Sequence, residues 1–241
     1  MIIYQRYSPE FAYLNPVNFY KSSEHSLRDR DNALLGFDLE VFPRNGYKLY
    51  GAWLIDDIDF SRIGTDWWGN EFGWQGGLCV TDVVGVPNVD AVLEYTRLSP
   101  YLYSNRINGN DYTHNNVGLG HHLEPNSDEW FAQIRYRPAK SLSTKITYVH
   151  QRHGENIVSN GQIVKNVGGN ILQGHRSSDS ETASFLDGNF VTNHRLQAQI
   201  VLEPMTNFFL TGAYEFLRSN NESGASSVND QTMSIKLSVE Y

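Results

Sequence analysis

The sequence predicts an all-β protein built around an antiparallel up-and-down sheet. Three observations predict this fold: apolar and polar residues alternate with a period of two, helix signals are nearly absent, and tight turns alternate with long loops. The clearest segment is the last, where every second residue from Met233 to Tyr241 is apolar and the residues between them are polar. A strand separates two such sets onto opposite faces, whereas a helix would spread them around its surface.

The same alternation predicts about ten strands, most of them roughly 10 to 14 residues long. We place them at 1–8, 32–43, 47–59, 72–86, 89–104, 129–140, 142–153, 191–204, 207–219 and 231–241. Strands of globular proteins average roughly 5 or 6 residues, whereas a tilted strand that crosses a membrane needs roughly 9 to 11. Strand length therefore favours a transmembrane β-barrel.

The connections between the predicted strands fall into two alternating classes. Short turns are expected at 44–46, 87–88, 139–141 and 205–206, and long loops at 9–31, 60–71, 105–128, 154–190 and 220–230. In an up-and-down sheet all the long loops then lie at one end, which is typical of an outer-membrane barrel. A soluble sandwich or soluble barrel remains the alternative, because alternation does not show which face points outward.

Composition excludes several other classes of protein. The chain has 241 residues, of which 40% are hydrophobic and 13% aromatic, and this excludes disorder of the whole chain. Its 19 Lys and Arg against 27 Asp and Glu give a net charge of -8, which argues against a nucleic-acid partner. The single cysteine, Cys79, can form neither an intrachain disulfide nor a zinc cluster. The first residues, MIIYQRYSPEF, show no signal peptide, so the chain is either cytosolic or the mature or truncated part of an exported protein.

Several separated motifs resemble one protein family. The stretches LNPVNFYKSSEH, DRDNALLGFDLEVF, WWGNEFGWQGGL and LEYTRLSPYLYSNRINGNDYTHNNVGLGHHLEPNSDEWFAQIRYRP are similar to the bacterial capsule-assembly Wzi family, over residues 9–140. The resemblance implies a barrel in the outer membrane of a Gram-negative-type envelope, one that helps to hold capsular polysaccharide at the cell surface. It also implies a sugar-binding protein that is not an enzyme. The expected partners are capsular or exopolysaccharide, outer-membrane lipid and lipopolysaccharide, and the barrel-assembly machinery.

Family members have more than ten strands and carry an N-terminal part that is not present here. We therefore expect residues 1–241 to be a single barrel domain or the C-terminal part of one, without its signal peptide and first strands. Unpaired strand edges in a bilayer cost several kcal/mol for each backbone group that lacks a partner. A fragment of a larger barrel would therefore need its missing strands.

Aromatic and histidine residues in or beside the predicted long loops are candidates for glycan binding, because a flat apolar ring with a polar edge suits a sugar ring. The candidates are Trp67, Trp68, Trp74, Tyr101, Tyr103, Tyr112, His114 and His121. The alternative is the aromatic girdle that marks the membrane interface. Trp67 and Trp68 are the best sugar candidates, because two adjacent side chains cannot easily both serve a girdle.

Charged residues on the polar sides of the strands are predicted to line the barrel lumen. They are Asp38, Glu40, Asp56, Glu94, Arg135, Arg137, Arg195 and Lys236. Such residues either set the selectivity of a channel or only keep the interior hydrated and paired. A porin-like channel or transporter for small polar solutes is therefore the alternative function.

The sequence offers no strong signal for metal or catalytic chemistry. His121 and His122 could ligate a metal, with Glu124 as a weak third ligand, and the acidic run Asp56, Asp57, Asp59, Asp66 and Glu71 could attract calcium. Packing in a polar loop or lumen plug is favoured for the histidines, and a solvated acidic loop for the acidic run, so we predict no metal and no cofactor. Asp and His do occur in the outer loops, as in omptin-type outer-membrane proteases, but no catalytic motif is present. We predict a protein that is not an enzyme, with an outer-membrane hydrolase as the residual alternative.

Overall fold

The computed structural model describes residues 1–3, 11–15, 31–107, 109–222 and 226–240, and it confirms the all-β class. Nine long strands form one antiparallel sheet in which each strand pairs with its neighbours in sequence, so the order runs from β1 to β9. The strands are β1 Leu35–Arg44, β2 Tyr47–Asp57, β3 Glu71–Val80, β4 Val89–Leu98, β5 Ser127–Ala139, β6 Leu142–Glu155, β7 Asn189–Met205, β8 Phe208–Asn221 and β9 Ser226–Val239. Among the described residues, no helix has the length and apolar character needed to span a membrane.

The first predicted strand, at 1–8, lies mostly outside the described residues. Within that range, Ile2–Ile3 forms a short antiparallel pair with Asn32–Ala33. In the described part of the chain the sheet is open, since β1 and β9 each have a single long neighbour and do not pair with each other. Both of these strands are exposed along almost their whole length.

Three predicted boundaries are corrected by the backbone. β3 ends at Val80 and not at 86, because Asp82 and Val84 adopt left-handed conformations around a short 3-10 turn. β4 ends at Leu98 and not at 104, because Tyr101 and Tyr103 have positive φ angles of 64° and 73°. The predicted long loop at 220–230 is only the connection 222–225, because β8 and β9 pair out to Asn221 and Ser226.

The register separates the side chains of the sheet into two faces. The apolar face carries Phe37, Leu39, Leu49, Trp53, Trp74, Leu78, Leu93, Tyr95, Trp130, Ile134, Tyr136, Ile146, Tyr148, Leu196, Ile200, Leu202, Leu210, Met233, Ile235 and Leu237. Its central isoleucines are open: Ile134, Ile146 and Ile200 are each 55% exposed. In the described structure this face therefore has no second layer packed over it.

Aromatic side chains cross the apolar face in two rows. The row near the long loops contains three contacts between aromatic rings. The ring centroids are 6.2 Å apart for Phe37 and Trp53, 5.1 Å for Trp74 and Tyr95, and 4.6 Å for Tyr95 and Trp130. Near the short turns, the same face carries Tyr47, Tyr136 and Phe208. Trp130 and Tyr136 are six positions apart on β5, which separates the rows by about 20 Å along the strand at ~3.3 Å per residue.

The packed interior lies at one end of the sheet and not along its face. The long connections 58–70, 99–107, 109–126 and 156–188, which we call the loop cap, meet there around Leu34, Leu98, Leu102, Tyr103 and Ile171. The loop cap folds onto the polar face of the sheet, because Leu98 and Leu102 lie over Gly73, a polar-face position where a Cβ would come within 2.9 Å of each. The buried core of this protein is therefore made largely by its loops.

Asn126 joins two connections of the loop cap to the end of β6. Its side chain is fully buried, donates to the carbonyls of Gly154 at 2.8 Å and Asp187 at 3.1 Å, and accepts from the Leu186 amide at 2.7 Å. Its backbone amide donates to the Ser99 carbonyl at 3.1 Å. One asparagine thus fastens the connection after β4 to the end of β6 and to the connection before β7.

Candidate functional site

Trp67 and Trp68 stand in an aromatic cluster in the loop cap. The Trp68 ring stacks on His175 with 3.8 Å between ring centroids and an interplanar angle of 3°. Tyr101 meets Trp68 edge-on at 6.0 Å, and Trp67 is tilted against Trp68 at 5.6 Å. We call Trp67, Trp68, Tyr101 and His175 the tryptophan cluster. Both tryptophans are half-buried, so part of each ring remains open.

Backbone pairing between two distant connections positions this cluster. Trp67 forms an isolated antiparallel bridge with Thr182, and the Trp68 amide donates to the Glu181 carbonyl at 3.3 Å. The Ala183 amide donates to the Asp66 carbonyl at 2.7 Å. The connection 58–70 is thereby tied to 156–188, which holds Trp68 beside His175.

Polar groups surround the outer tryptophan. The Arg62 guanidinium lies 4.6 Å from the centre of the Trp67 ring, and Trp67 Nε1 donates to a Glu181 carboxylate oxygen at 3.4 Å. Gly69 leaves the space that the ring occupies, because a Cβ there would come within 2.5 Å of it. The cluster therefore offers flat apolar rings bordered by a cation and a carboxylate, an arrangement that suits a sugar ring with its hydroxyl groups.

An ion pair between Arg176 and Asp179 holds the turn that follows His175. Arg176 donates to Asp179 at 2.6 Å, and Asp179 also accepts from the Asn166 side chain at 2.8 Å. Burial on its own would raise the pKa of the Asp179 carboxyl, but the hydrogen bonds from Arg176 and Asn166 outweigh it and hold the pKa below its usual value. Asp179 is therefore ionised at neutral pH and fixes the turn that carries His175.

The remaining predicted glycan residues lie in different surroundings. Tyr101 and Tyr103 are buried, with Tyr101 donating to the Asn166 carbonyl at 3.1 Å and Tyr103 packed 5.3 Å from Tyr112. Trp74 lies on the apolar face in the aromatic row near the long loops. His114 is exposed in a small ribbon of the loop cap. Of the eight candidates, only Trp67 and Trp68 are brought together as a partly open aromatic surface.

His121 lies in a second group, at the inner side of the loop cap. The His121 and His122 rings are 4.3 Å apart, and His122 Nε2 is 2.9 Å from a carboxylate oxygen of Glu129 on β5. Gln151 on β6 donates to the same oxygen at 2.6 Å. We call His121, His122 and Glu129 the histidine cluster. Its carboxylate is buried, and His122 is largely exposed.

The surroundings shift the pKa values of the two histidines in opposite directions. Burial, followed by the charge of His122, lowers the pKa of His121 to about 4. The hydrogen bond to Glu129 raises the pKa of His122 above its usual value, even though partial burial opposes this. His121 is therefore neutral at pH 7, and its Nδ1 accepts a long hydrogen bond of 3.3 Å from the Leu123 amide.

The predicted lumen residues all lie on the polar face, and several are paired. Lys48 donates to Glu40 at 2.9 Å, and the Tyr50 hydroxyl donates to Glu94 at 2.5 Å. Arg137 contacts Asp90 at 3.0 Å. Asp56 is buried beneath the loop cap and accepts from the Tyr103 amide at 3.0 Å. Asp38, Arg135, Arg195 and Lys236 share this face by register and are exposed.

Sequence reasoning missed several residues of these sites. His175 belongs to the tryptophan cluster and Glu181 borders it, but both lie more than a hundred residues along the chain from Trp68. Glu129 is the acidic neighbour of the two histidines, whereas Glu124, the residue named from the sequence, accepts from the Ile171 amide at 3.0 Å. The alternation could have indicated Glu129, because it places this residue on the polar face at the end of β5 that is nearest the long loops.

The acidic run divides into separate structural roles. Asp59 caps the 3-10 turn at Phe60–Arg62, and Asp66 accepts from the Ser184 hydroxyl at 2.6 Å. Neither contact points to a bound calcium ion.

Comparison of the chain with models of known protein families gives no match, and comparison with curated proteins gives none.

Proposed function

We propose that this chain is part of an outer-membrane β-barrel that binds capsular or exopolysaccharide through the tryptophan cluster and so serves its attachment or assembly at the cell surface. The observation that carries the proposal is the exposure of the apolar face across nine strands, while the packed core lies in the loop cap. The resemblance to the Wzi family supplies the expected ligand.

The exposed apolar face supports a lipid environment. Removing a large apolar side chain from water is worth roughly 1.5–3 kcal/mol, and this face carries such side chains on every strand. Soluble monomers rarely leave so large an apolar patch open. The aromatic rows near both ends of the apolar face also support a lipid environment, because girdles of aromatic residues flank the apolar band of a membrane barrel.

The loop cap supports a ligand site on the outer side. In a membrane barrel the long loops face the exterior, and there the tryptophan cluster is partly open, with Arg62 and Glu181 at its border. Aromatic rings take the apolar face of a pyranose, and the charged neighbours take its hydroxyl groups. Trp68 is the central ring of the cluster, since it contacts both Trp67 and His175.

Binding of purified capsular polysaccharide by the chain refolded in detergent micelles tests this proposal. We expect Trp68→Ala to weaken binding by about 2 kcal/mol, or roughly 30-fold, as truncation of a central aromatic contact does. Trp74→Ala is the matched control, because it removes an equal ring from the apolar face and leaves the tryptophan cluster intact. Equal binding by the wild type and both variants would contradict the glycan site.

A porin-like channel is the alternative function, and the charged, hydrogen-bonded polar face favours it. Steady single-channel conductance in a planar bilayer, with selectivity changed by Arg135→Glu, would support the channel. A closed barrel that binds glycan would support the first proposal. We continue to predict that the protein is not an enzyme.

A further inference from the structure

The histidine cluster brings three metal-ligating side chains to one point between the loop cap and the sheet. One potential ligand atom from each of His121, His122 and Glu129 lies within 4.8 Å of the other two. Within the described residues, this is the one group of at least three His, Cys, Asp or Glu side chains that meets this criterion. The cluster is separate from the tryptophan cluster and shares no residue with it.

The donor set fits a divalent ion of the zinc class. Two imidazoles and one carboxylate are the protein ligands of many zinc sites that keep a fourth position open. A tetrahedral zinc ion holds its ligand atoms about 3.3 Å apart. The pair formed by His122 Nε2 and Glu129 is already at 2.9 Å, so the main adjustment is an approach of the His121 ring.

The surroundings leave room for an ion and for one further ligand. A cavity of about 590 Å³ opens beside the cluster and is lined by His122, Glu129, Gln151 and Arg195, among others. The Gln151 amide, which donates to Glu129 at 2.6 Å, holds the carboxylate in place. Such a hydrogen bond to a ligating carboxylate is a usual feature of metal sites.

We propose that His121, His122 and Glu129 bind one divalent ion of the zinc class, which fastens the loop-cap segment at 121–122 to β5 on the polar face of the sheet. The ion takes the place of the hydrogen bond between His122 and Glu129. The long contact from the Leu123 amide to His121 Nδ1 is displaced or reversed, depending on which ring nitrogen binds. The site does not depend on glycan binding or on the membrane environment.

Metal titration of the purified chain tests the site. The full chain, refolded in detergent and stripped with a chelator, is titrated with Zn²⁺ in competition with a chromophoric chelator, and with Co²⁺ to record its visible absorption. We expect one ion per chain and intense Co²⁺ d–d bands typical of a four-coordinate site. His122→Gln and Glu129→Gln should each weaken binding by at least about tenfold.

Two further variants keep the test decisive. His114→Gln is the matched control, because it removes an exposed histidine from the same connection and should bind like the wild type. His121→Gln removes one ligand and keeps the hydrogen bond between His122 and Glu129. It therefore tests the site even if Glu129→Gln fails to fold, and it should bind Zn²⁺ more weakly than the wild type. Absence of Zn²⁺ binding by the wild type, or equal binding by His121→Gln and His114→Gln, would overturn the proposal.

Discussion

The strands and the loop cap differ in how they pack their side chains: the sheet leaves apolar side chains exposed, whereas the loop cap buries them. Along the sheet, Ile134 and Ile200 on the apolar face are 55% exposed, and almost every contact is a local one between neighbouring strands. In the loop cap, Leu102 and Asn126 are completely buried and are held by partners far away in sequence. A regular pattern builds the sheet, whereas particular side chains build the cap.

This difference indicates where each region finds its free energy of folding. The cap buries apolar and polar groups within the chain, as a soluble core does. Between its two open edge strands the sheet satisfies its backbone hydrogen bonds internally, and its apolar side chains stay exposed, as they would in the lipid-facing sheet that we propose. The two regions should therefore respond differently to equivalent substitutions.

The largest effect is expected from a charge in the centre of the apolar face. Ile134→Lys should destabilise the membrane-inserted protein by about 2–4 kcal/mol, because a lysine near the midplane of a bilayer is costly. Gln133→Lys, one position along β5 on the polar face, should change stability little. Urea unfolding in lipid vesicles measures both variants, and equal losses would remove the distinction between the faces.

The next effect is expected at the centre of the loop cap. Asn126→Ala leaves the Leu186 amide and two carbonyls without their partner and should destabilise the cap by about 2–3 kcal/mol. Limited proteolysis should then cut within 156–188, while the sheet keeps its far-ultraviolet circular dichroism. Asn229→Ala on the exposed β9 strand is the control and should change neither reading. If the sheet unfolded together with the cap, the two regions would not be independent.

Two glycines with similar backbones sharpen the comparison within one connection. Gly161 has φ +74° and open space around it, whereas Gly168 has φ +69° and a Cβ there would lie 2.4 Å from the Tyr101 nitrogen. Alanine at either position pays about 1 kcal/mol of left-handed strain. Only the methyl group of Gly168→Ala also collides with Tyr101. This variant should therefore lower the free energy of unfolding by at least about 1 kcal/mol more than Gly161→Ala. Thermal unfolding of both variants measures this difference, and equal costs would show that Tyr101 is free to move.

The smallest effect is expected from pH. The pKa of Asp179 is lower in the folded chain than in the unfolded chain, so its contribution to stability is present above about pH 4 and is lost as the pH falls through the folded value. An ion pair with a half-exposed Arg176 is worth under about 1 kcal/mol. Hydrogen exchange in 176–182 should accelerate in acid for the wild type, and Asp179→Asn should show the faster rate already at pH 7. Exchange independent of pH in the wild type would exclude this role.

The sheet could be predicted from the sequence because its signal is repeated and local. The predicted starts of the third and seventh listed ranges, at residues 47 and 142, coincide with those of β2 and β6, since alternation begins directly after a tight turn. β9 begins at Ser226 and not at 231, because the polar run up to Asp230 pairs through its backbone and shows no alternation. The strand ends at Val80 and Leu98 were missed because left-handed residues end them.

The sites could be predicted only in part. Trp67 and Trp68 were identified because two adjacent tryptophans stand out in a loop, but nothing near them in sequence indicates that His175 stacks on Trp68. The pairing of His122 with Glu129 depends on how the loop cap folds back onto the polar face. Contacts of this kind are set by tertiary packing, which a period-two pattern does not encode.

Spin-label accessibility in lipid vesicles tests the central claim most directly. With Cys79 replaced by serine, single cysteines at Ile134, Gln133, Ile200 and Gln199 carry the label, and collisions with oxygen are compared with collisions with a water-soluble nickel chelate. The account predicts that labels at 134 and 200 collide mainly with oxygen dissolved in lipid, and that labels at 133 and 199 collide more with the chelate. The reverse order, or equal accessibility at all four positions, would show that the apolar face does not contact lipid.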